Sequence, residues 1–395
     1  MSLLFKPFNI GSLTLNNRFI HSATHEAMAG DNAKVNNDIV RRYATLAKGE
    51  IGLIIPGHLF VHPLGKAHKG QCGIHSDEMI SGLSQLADTI HQHGSKVAFQ
   101  LAHGGRQADK AIINHAPLAP SKWGRDPATL NKPHQMTEEE IKETIAAFVK
   151  SAERAVRAGA DAIQLHAAHG YLMSEFLSPF FNRRKDIWGG SDENRFRFIK
   201  EVITNIKELL PDDMPILVKM NGNDFTPKKG MTPDLAARYA KWMVELGVDA
   251  IETSCGTAYS FHIIRGDIPA DELMAGLPLW MKPIGKIKLK AMAKTNIFED
   301  AYNRMAGKVV KGMMGNASLI LVGGLRKLSQ MEEIIEKGDA DLISMSRPFI
   351  REPFLVKKFK EGKLTQASCI NCNKCFAAMF NAKPVRCYQK GMVRL

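Results

Sequence analysis

The chain has 395 residues, of which 45% are hydrophobic and 24% charged, and its formal net charge is +13. That length suits one decorated barrel better than one small domain, and the ordinary globular composition excludes wholesale disorder. No apolar run approaches the ~18 residues that cross a bilayer, the start Met1-Ser2-Leu3-Leu4-Phe5-Lys6-Pro7 lacks the regions of a signal peptide, and no nucleic-acid-binding signature is present, so a cytoplasmic protein with neither membrane nor nucleic acid as partner is expected.

Short apolar runs alternate with amphipathic stretches along the whole chain. Strands are predicted over 19–24, 52–60, 96–102, 161–167, 215–221, 250–256, 318–324 and 342–348. They read as continuous apolar runs, the pattern of strands covered on both faces. The clearest helix begins at Thr137-Glu138-Glu139-Glu140, which has the form of a capping box. Ile141, Ile145, Phe148, Val149, Ala152 and Ala155 then follow one face. Further helices are predicted over 193–210, 233–246 and 328–337. Strands alternating with helices in this way predict an α/β fold, a TIM (β/α)8 barrel. An open doubly wound sheet is the competitor, but no Gly-x-Gly-x-x-Gly follows any of these strands.

Three stretches depart from the alternation. The segment 104–136 is a polar loop with prolines. The segment 259–314 carries Trp280, many lysines and many methionines, and is expected to be a helical insertion over the barrel mouth. The third is the tail. The expected division is a barrel over 1–350 and a C-terminal extension over 351–395.

Active sites of such barrels sit where the strands end. Read off in order, those ends present Ala23, Thr24 and His25, then Gly57 and His58, then Gln100 and His103. His166, His169 and Tyr171 follow the fourth strand, and Lys219 and Asn221 lie in the fifth. Gly323, Gly324, Ser346 and Arg347 close the set. It is rich in donors and holds no carboxylate, which suits an anionic, carbonyl-rich ligand better than a Mg2+ cage. The loops after strands seven and eight often bind phosphate in barrels. Gly323-Gly324 would let the backbone approach it, and Arg347 would supply a forked cation. His166 and His169 can converge on one small acceptor. A metal site, or two histidines satisfied by backbone, are the plainer readings.

Four of the six cysteines lie in the last 27 residues, as Cys369-x2-Cys372-x2-Cys375-x11-Cys387. Four thiolates from one short segment suit a [4Fe–4S] cluster. A zinc knuckle with four thiolate ligands, or an empty relic, are the alternatives. Cys72 and Cys255 have no such partners and read as core or loop residues.

Several of these stretches are similar to motifs of the old yellow enzyme (NADH:flavin oxidoreductase) family, in the branch of bacterial 2,4-dienoyl-CoA reductase and trimethylamine dehydrogenase. They are Leu4-Phe5-Lys6-Pro7-Phe8-Asn9-Ile10-Gly11 with Leu15-Asn16-Asn17-Arg18, and Gln100-Leu101-Ala102-His103-Gly104-Gly105-Arg106. His166 to Tyr171 continues into Phe176-Leu177-Ser178-Pro179, Trp188-Gly189-Gly190-Ser191 and Glu193-Asn194-Arg195. Val322-Gly323-Gly324 and Ser346-Arg347-Pro348 complete the match, which with the cysteine tail spans nearly the whole chain.

The resemblance implies FMN, with NAD(P)H as reductant. Gln100 and Lys219 would bond the pyrimidine edge of the flavin. Ala23, Thr24 and His58 would line it, and His25 would touch it and tune its potential. Gly323, Gly324, Ser346 and Arg347 would hold the phosphate. His166 and His169 would bond a substrate carbonyl, and Tyr171 would donate the proton. Two residues depart from the pattern: Lys219 stands where many members have Arg, and Ser346 replaces a common Gly. Larger relatives continue into a dinucleotide-binding half. None is expected here, so a relay through it would be absent or supplied by another protein.

Two function classes follow. In the first, an ene-reductase-like enzyme passes hydride to an enone, enoate or enoyl thioester. In the second, an electron-transfer flavoprotein or dehydrogenase exchanges single electrons with a partner protein through the cluster. A small-molecule substrate is expected in either case, and a homo-oligomer is compatible with both.

Overall fold

A computed structural model describes residues 2–122, 124–126, 130–260, 262–276 and 279–389. Eight parallel strands form the frame: β1 (Phe19–His21), β2 (Leu53–Ile54), β3 (Lys96–Ala102), β4 (Ala162–Ala167), β5 (Ile216–Asn221), β6 (Ala250–Ser254), β7 (Ser318–Val322) and β8 (Leu342–Met345). Each pairs with its neighbours in chain order, and β8 returns to β1 with Ile343 opposite Phe19. The sheet therefore closes without a free edge, as a TIM barrel.

Helices follow the strands: α1 (Asn37–Ala47), α2 (Ile80–His91), α3 (Glu138–Arg157), α4 (Asp192–Leu209), α5 (Pro233–Glu245), α6 (Arg304–Lys311), α7 (Leu328–Glu336) and α8 (Leu355–Lys360). At the start of α3 the Thr137 hydroxyl accepts from the Glu140 N–H at 3.2 Å, and the Glu140 carboxylate accepts from the Thr137 N–H at 2.7 Å. Both halves of the capping box read from the sequence are present; such caps contribute ~0.5–2 kcal/mol.

The second strand is shorter than the predicted 52–60. Pro56, which has no N–H to give a ladder, separates β2 from a second short strand, Leu59–Phe60. The chain is caught at the break by Glu26, whose buried carboxylate accepts from the Gly57 N–H at 2.7 Å and also from the Tyr43 hydroxyl. A side chain at Gly57 would collide with that carboxylate. This kink turns His58 into the barrel mouth.

Ahead of β1, an antiparallel hairpin pairs Phe8–Ile10 with Leu13–Leu15. Its Ile10, Leu13 and Leu15 form one cluster with Ile20, Leu53, Ala98, Ala162, Leu217, Ala250, Ile320 and Leu342. Those partners lie at the starts of the strands, so the hairpin plugs the N-terminal end of the barrel and leaves the other end for the site.

The chain between β6 and α6 holds the 3-10 turn His262–Ile264 and the helices Ala270–Leu273 and Lys282–Ala293. A tail helix, Lys374–Phe380, packs on them through Leu273, Leu289, Ala377 and Phe376. Asn373 ties the two pieces together, donating to the carbonyls of Ile264 and Asp267 at 2.8 Å each. The stretch 259–314 thus supplies a covering segment and, at its end, the sixth barrel helix, α6.

Candidate functional site

Residues two apart on a strand face the same way, and this fixes the floor of the site. One step above the apolar layer of Ile20, Ala98, Ala162, Leu217, Ala250 and Leu342 come Ser22, Gln100, Gln164, Lys219, Glu252 and Ser344. All of these are buried. The Lys219 ammonium lies 3.2 Å from Glu252 Oε1 and donates to the Ser22 hydroxyl at 2.6 Å. Ser22 and Ser344 donate to Glu252 Oε1 at 2.7 and 2.9 Å, and Gln164 donates to Oε2 at 2.9 Å. Gln100 in turn donates its amide to Gln164 Oε1 at 2.6 Å.

Burial pushes the Glu252 carboxyl up, but Lys219 and the three hydrogen-bond donors outweigh it and hold the group below the usual carboxylate range. The donor-rich floor therefore rests on a carboxylate. Reading only the strand ends missed Glu252; counting inward by two from Ala250 finds it.

Above this floor lies a cavity of about 1040 Å3, slightly over the ~300–1,000 Å3 common for ligand sites. Ala23, Thr24, His25, His58, Gln100, His166, His169, Tyr171, Lys219, Gly323, Gly324, Ser346 and Arg347 all line it. Most of the sequence-predicted set thus converges on one space, although Gly57, His103 and Asn221 do not line it; Lys219, Lys288, Arg326 and Arg347 are on its wall, with no carboxylate there among the described residues.

One side of the cavity is a group of imidazoles around a phenol. Ring centroids of His166 and His58 lie 4.8 and 5.3 Å from that of Tyr171. The Tyr171 hydroxyl is 2.9 Å from His68 Nε2 and 3.2 Å from His58 Nε2. Burial raises the Tyr171 phenol well above its ordinary value, so it stays protonated. Burial also holds His25, His58, His166 and His169 well below the ordinary imidazole value, helped by neighbouring imidazoles or Lys219. These rings are neutral at neutral pH. The Ala168 N–H donates to His166 Nδ1 at 3.3 Å, which leaves Nε2–H as that ring's donor. His169 takes a left-handed backbone, φ 64°. Its N–H donates to Asn221 Oδ1 at 3.2 Å, and its Nε2 sits 2.7 Å from Ser254 Oγ.

At the opposite side, Thr24 Oγ1 and Ser346 Oγ are 2.7 Å apart. Gly323 and Gly324 have φ of 114° and 71°. Side chains there would run into Tyr302, Asn303 and the backbone of Glu299. The crowding that demands glycine thus comes from the loop before α6. Arg347 Nη1 donates to the Arg265 carbonyl at 2.8 Å and to Asn373 Oδ1 at 2.6 Å. The guanidinium is therefore anchored by the covering segment and the tail, where the sequence reading had only a phosphate contact.

The four tail cysteines are free thiols that line one small pocket. Arg347, Ile350, Asn371 and Cys375 line both this pocket and the large cavity. Burial pushes the Cys375 thiol up to about 12 and raises Cys369, with Arg347 pulling both the other way. Arg351 Nη1 donates to Cys387 Sγ at 3.5 Å. Cys72 and Cys255 are buried away from this pocket.

The chemistry of the wall fits a flavin mononucleotide. His25 Nε2 is buried without a hydrogen-bond partner among the described residues, so the wall has a polar atom to offer a ligand. The lining cations suit a phosphate, and the Gln100 amide and Lys219 ammonium add polar groups to the same wall. His68, which sequence reasoning missed, reaches Tyr171 from the loop after the second strand. No strand periodicity marks that loop.

The NADH:flavin oxidoreductase / NADH oxidase family matches residues 3–267 and 283–366. The NADPH dehydrogenase of Bacillus subtilis (strain 168) is 34% identical over 359 residues, covering 90% of this chain and 93% of that one. Among solved structures, a 2-naphthoyl-CoA reductase in complex with 2-naphthoyl-CoA superposes with a TM-score of 0.85 at 24% identity, over 98% of this chain and 56% of that one. This chain thus spans about half of that reductase's length. The old yellow enzyme homologue from Zymomonas mobilis superposes with a TM-score of 0.73 at 22% identity, over 93% of this chain and 95% of that one. Those two superpositions speak for the barrel fold. The family match and the identity to the Bacillus enzyme decide the rest: the chain is an oxidoreductase that belongs to the NADH:flavin oxidoreductase / NADH oxidase family.

Proposed function

We propose that this chain is an FMN-dependent NAD(P)H oxidoreductase that reduces an activated C=C bond in an enone, enoate or enoyl thioester. One observation carries the reading: Tyr171, His166 and His169 share the wall of the cavity that Gln100, Lys219 and Arg347 also line. FMN, when bound, would supply the hydride for the alkene's β-carbon. Gln100 and Lys219 would hold the flavin's pyrimidine edge, with Lys219 kept in place by Glu252. Ala23, Thr24, His25 and His58 would line the ring. Gly323, Gly324, Ser346 and Arg347 would hold the phosphate.

The chain's own chemistry on substrate follows from the state of the rings. Neutral His166 donates from Nε2–H to the carbonyl oxygen, with His169 beside it. That bond draws electron density from the alkene and makes its β-carbon electrophilic. Tyr171 holds its proton at the phenol oxygen, for the α-carbon. The names of the Bacillus relative and of the naphthoyl-CoA enzyme support NADPH as reductant and a thioester among the substrates.

A second reading rests on the cysteine pocket. Cys369, Cys372, Cys375 and Cys387 would ligate a [4Fe–4S] cluster in the 351–395 extension. A lone zinc needs its four sulfurs within about 3.8 Å of one another, given Zn–S bonds near ~2.3 Å. Among the described residues no three metal-ligating side chains are gathered closely enough for one ion. The cluster reading therefore rests on the four cysteines of one short segment lining one pocket. Because the pocket shares Arg347 and Cys375 with the large cavity, electrons could leave one at a time to a partner protein.

Anaerobic stopped-flow separates the two readings. Protein reduced with NADPH and mixed with cyclohexenone or a crotonyl thioester should be reoxidised and yield the saturated product. Reoxidation by one-electron acceptors alone, with every alkene inert, would replace the first reading by the second.

A further inference from the structure

The helix Lys282–Ala293 has two unlike faces. One is fixed to the protein: Leu289 is buried, with Met292 against it, in the cluster that joins the covering segment to the tail helix. The other is apolar and open. Ile284 and Ile287 are 73% and 71% exposed, and just ahead of them Leu279 and Trp280 are 81% and 75% exposed. At 3.6 residues per turn, Ile284, Ile287 and Ala291 form one stripe opposite Leu289. Lys286, Lys290 and Lys294 run along one side of that stripe, while Lys288, on the other side, lines the large cavity. Lys286 pairs with Asp271. Lys290, which adds to the field on Asp271, and Lys294 have no ion-pair contact within 4 Å among the described residues.

An apolar stripe of this kind, outward and edged with cations, needs a matching occupant. A second copy of the chain meeting it face to face would set lysines against lysines. An anionic lipid surface answers both features. Isoleucine, leucine and tryptophan enter the boundary between headgroups and acyl chains, while lysine ammoniums reach the phosphates. Tryptophan is enriched at that boundary, and the net charge of +13 adds attraction at longer range. No described helix is long and apolar enough to cross a membrane, so the contact would be peripheral.

We propose that residues 279–294 form a docking surface for an anionic membrane. Such docking would add a membrane partner where the sequence led to the expectation of none. Trp280, Met281, Ile284 and Phe380 also line the mouth of the large cavity. Docking would turn that mouth toward the lipid and let apolar substrates enter from the leaflet.

The test is sedimentation of the full chain with vesicles of phosphatidylcholine alone or mixed with phosphatidylglycerol, at moderate salt. Binding should require the anionic lipid, and brominated acyl chains should quench tryptophan fluorescence, an effect lost in Trp280→Phe. Ile287→Glu and Lys290→Glu, neither of which lines the cavity, should each weaken binding by about tenfold or more. Lys200→Glu, the same change of charge on α4, should not. Binding to anionic vesicles that Ile287→Glu leaves intact would be adsorption of a basic protein and would overturn the proposal. So would vesicles that stay unbound while Ile287→Glu dissociates a dimer, because a second copy would then be the occupant.

Discussion

The Tyr171 hydroxyl lies 2.9 Å from Nε2 of His68, a ring that burial holds down to a pKa of about 4. A neutral imidazole can hold the phenol in one orientation and return a proton to it. His68→Phe keeps a ring of similar size and removes the bond. The variant should keep its rate of flavin reduction by NADPH and lose roughly tenfold in reoxidation by an enone. Stopped-flow traces of the two half-reactions check this, and equal slowing of both would assign His68 a structural role only.

Lys219 and Glu252 form a buried ion pair, with side chains 5% and 0% exposed. Removing one partner leaves an uncompensated charge, so Glu252→Gln should cost about 3–5 kcal/mol. Lys219→Met combined with Glu252→Gln should recover much of that loss, because two buried charges leave together. Urea unfolding of the two variants gives the comparison. The double variant should still bind flavin poorly, since the cation on the cavity wall is gone.

His21 and His103 are fully buried, and burial lowers both to about 3. In the unfolded chain each returns to ~6.5. Below that value the unfolded state binds protons that the folded state refuses, so their contribution is complete above about pH 7 and is lost as pH falls from ~6.5 toward 3. Each group then costs up to ~1.4 kcal/mol per pH unit. The Tm of the protein should be level from about pH 7 to 8 and drop steadily toward about pH 5. A Tm unchanged down to about pH 5 would contradict the assignment.

The barrel was legible because eight apolar runs and their intervening helices each carry their own period. The capping box at Thr137 and the strand-end residues were legible for the same local reason. The buried layer of Gln164 and Glu252 was written in the same strands, at the inward positions two residues on from Ala162 and Ala250. Three things were not legible. Pro56 splits the second strand, but the path of the chain after it is set by Glu26, far from it in sequence, which captures the Gly57 N–H. His68 reaches Tyr171 through an irregular loop. Arg347 meets Arg265 and Asn373 because two distant segments fold over the same strand end. Long-range capture of this kind leaves no periodic mark.

For the cysteine tail, protein purified without oxygen should hold about four irons and matching sulfide per chain. Cys372→Ser should lower that content sharply while leaving the flavin bound, because Cys372 lines the small pocket and not the large cavity. Stoichiometric zinc without sulfide would make the site a structural knuckle.

Under the proposed function, Tyr171 delivers the substrate proton. Tyr171→Phe deletes one oxygen from a site where burial has already fixed the ring, so fold and flavin content should be unchanged. The measurement is the rate of each half-reaction, with several enones as oxidants. Reduction by NADPH should match the parent, and reoxidation should slow by at least roughly tenfold with every enone. Reoxidation at the parent rate across the series would exclude Tyr171 as the proton donor.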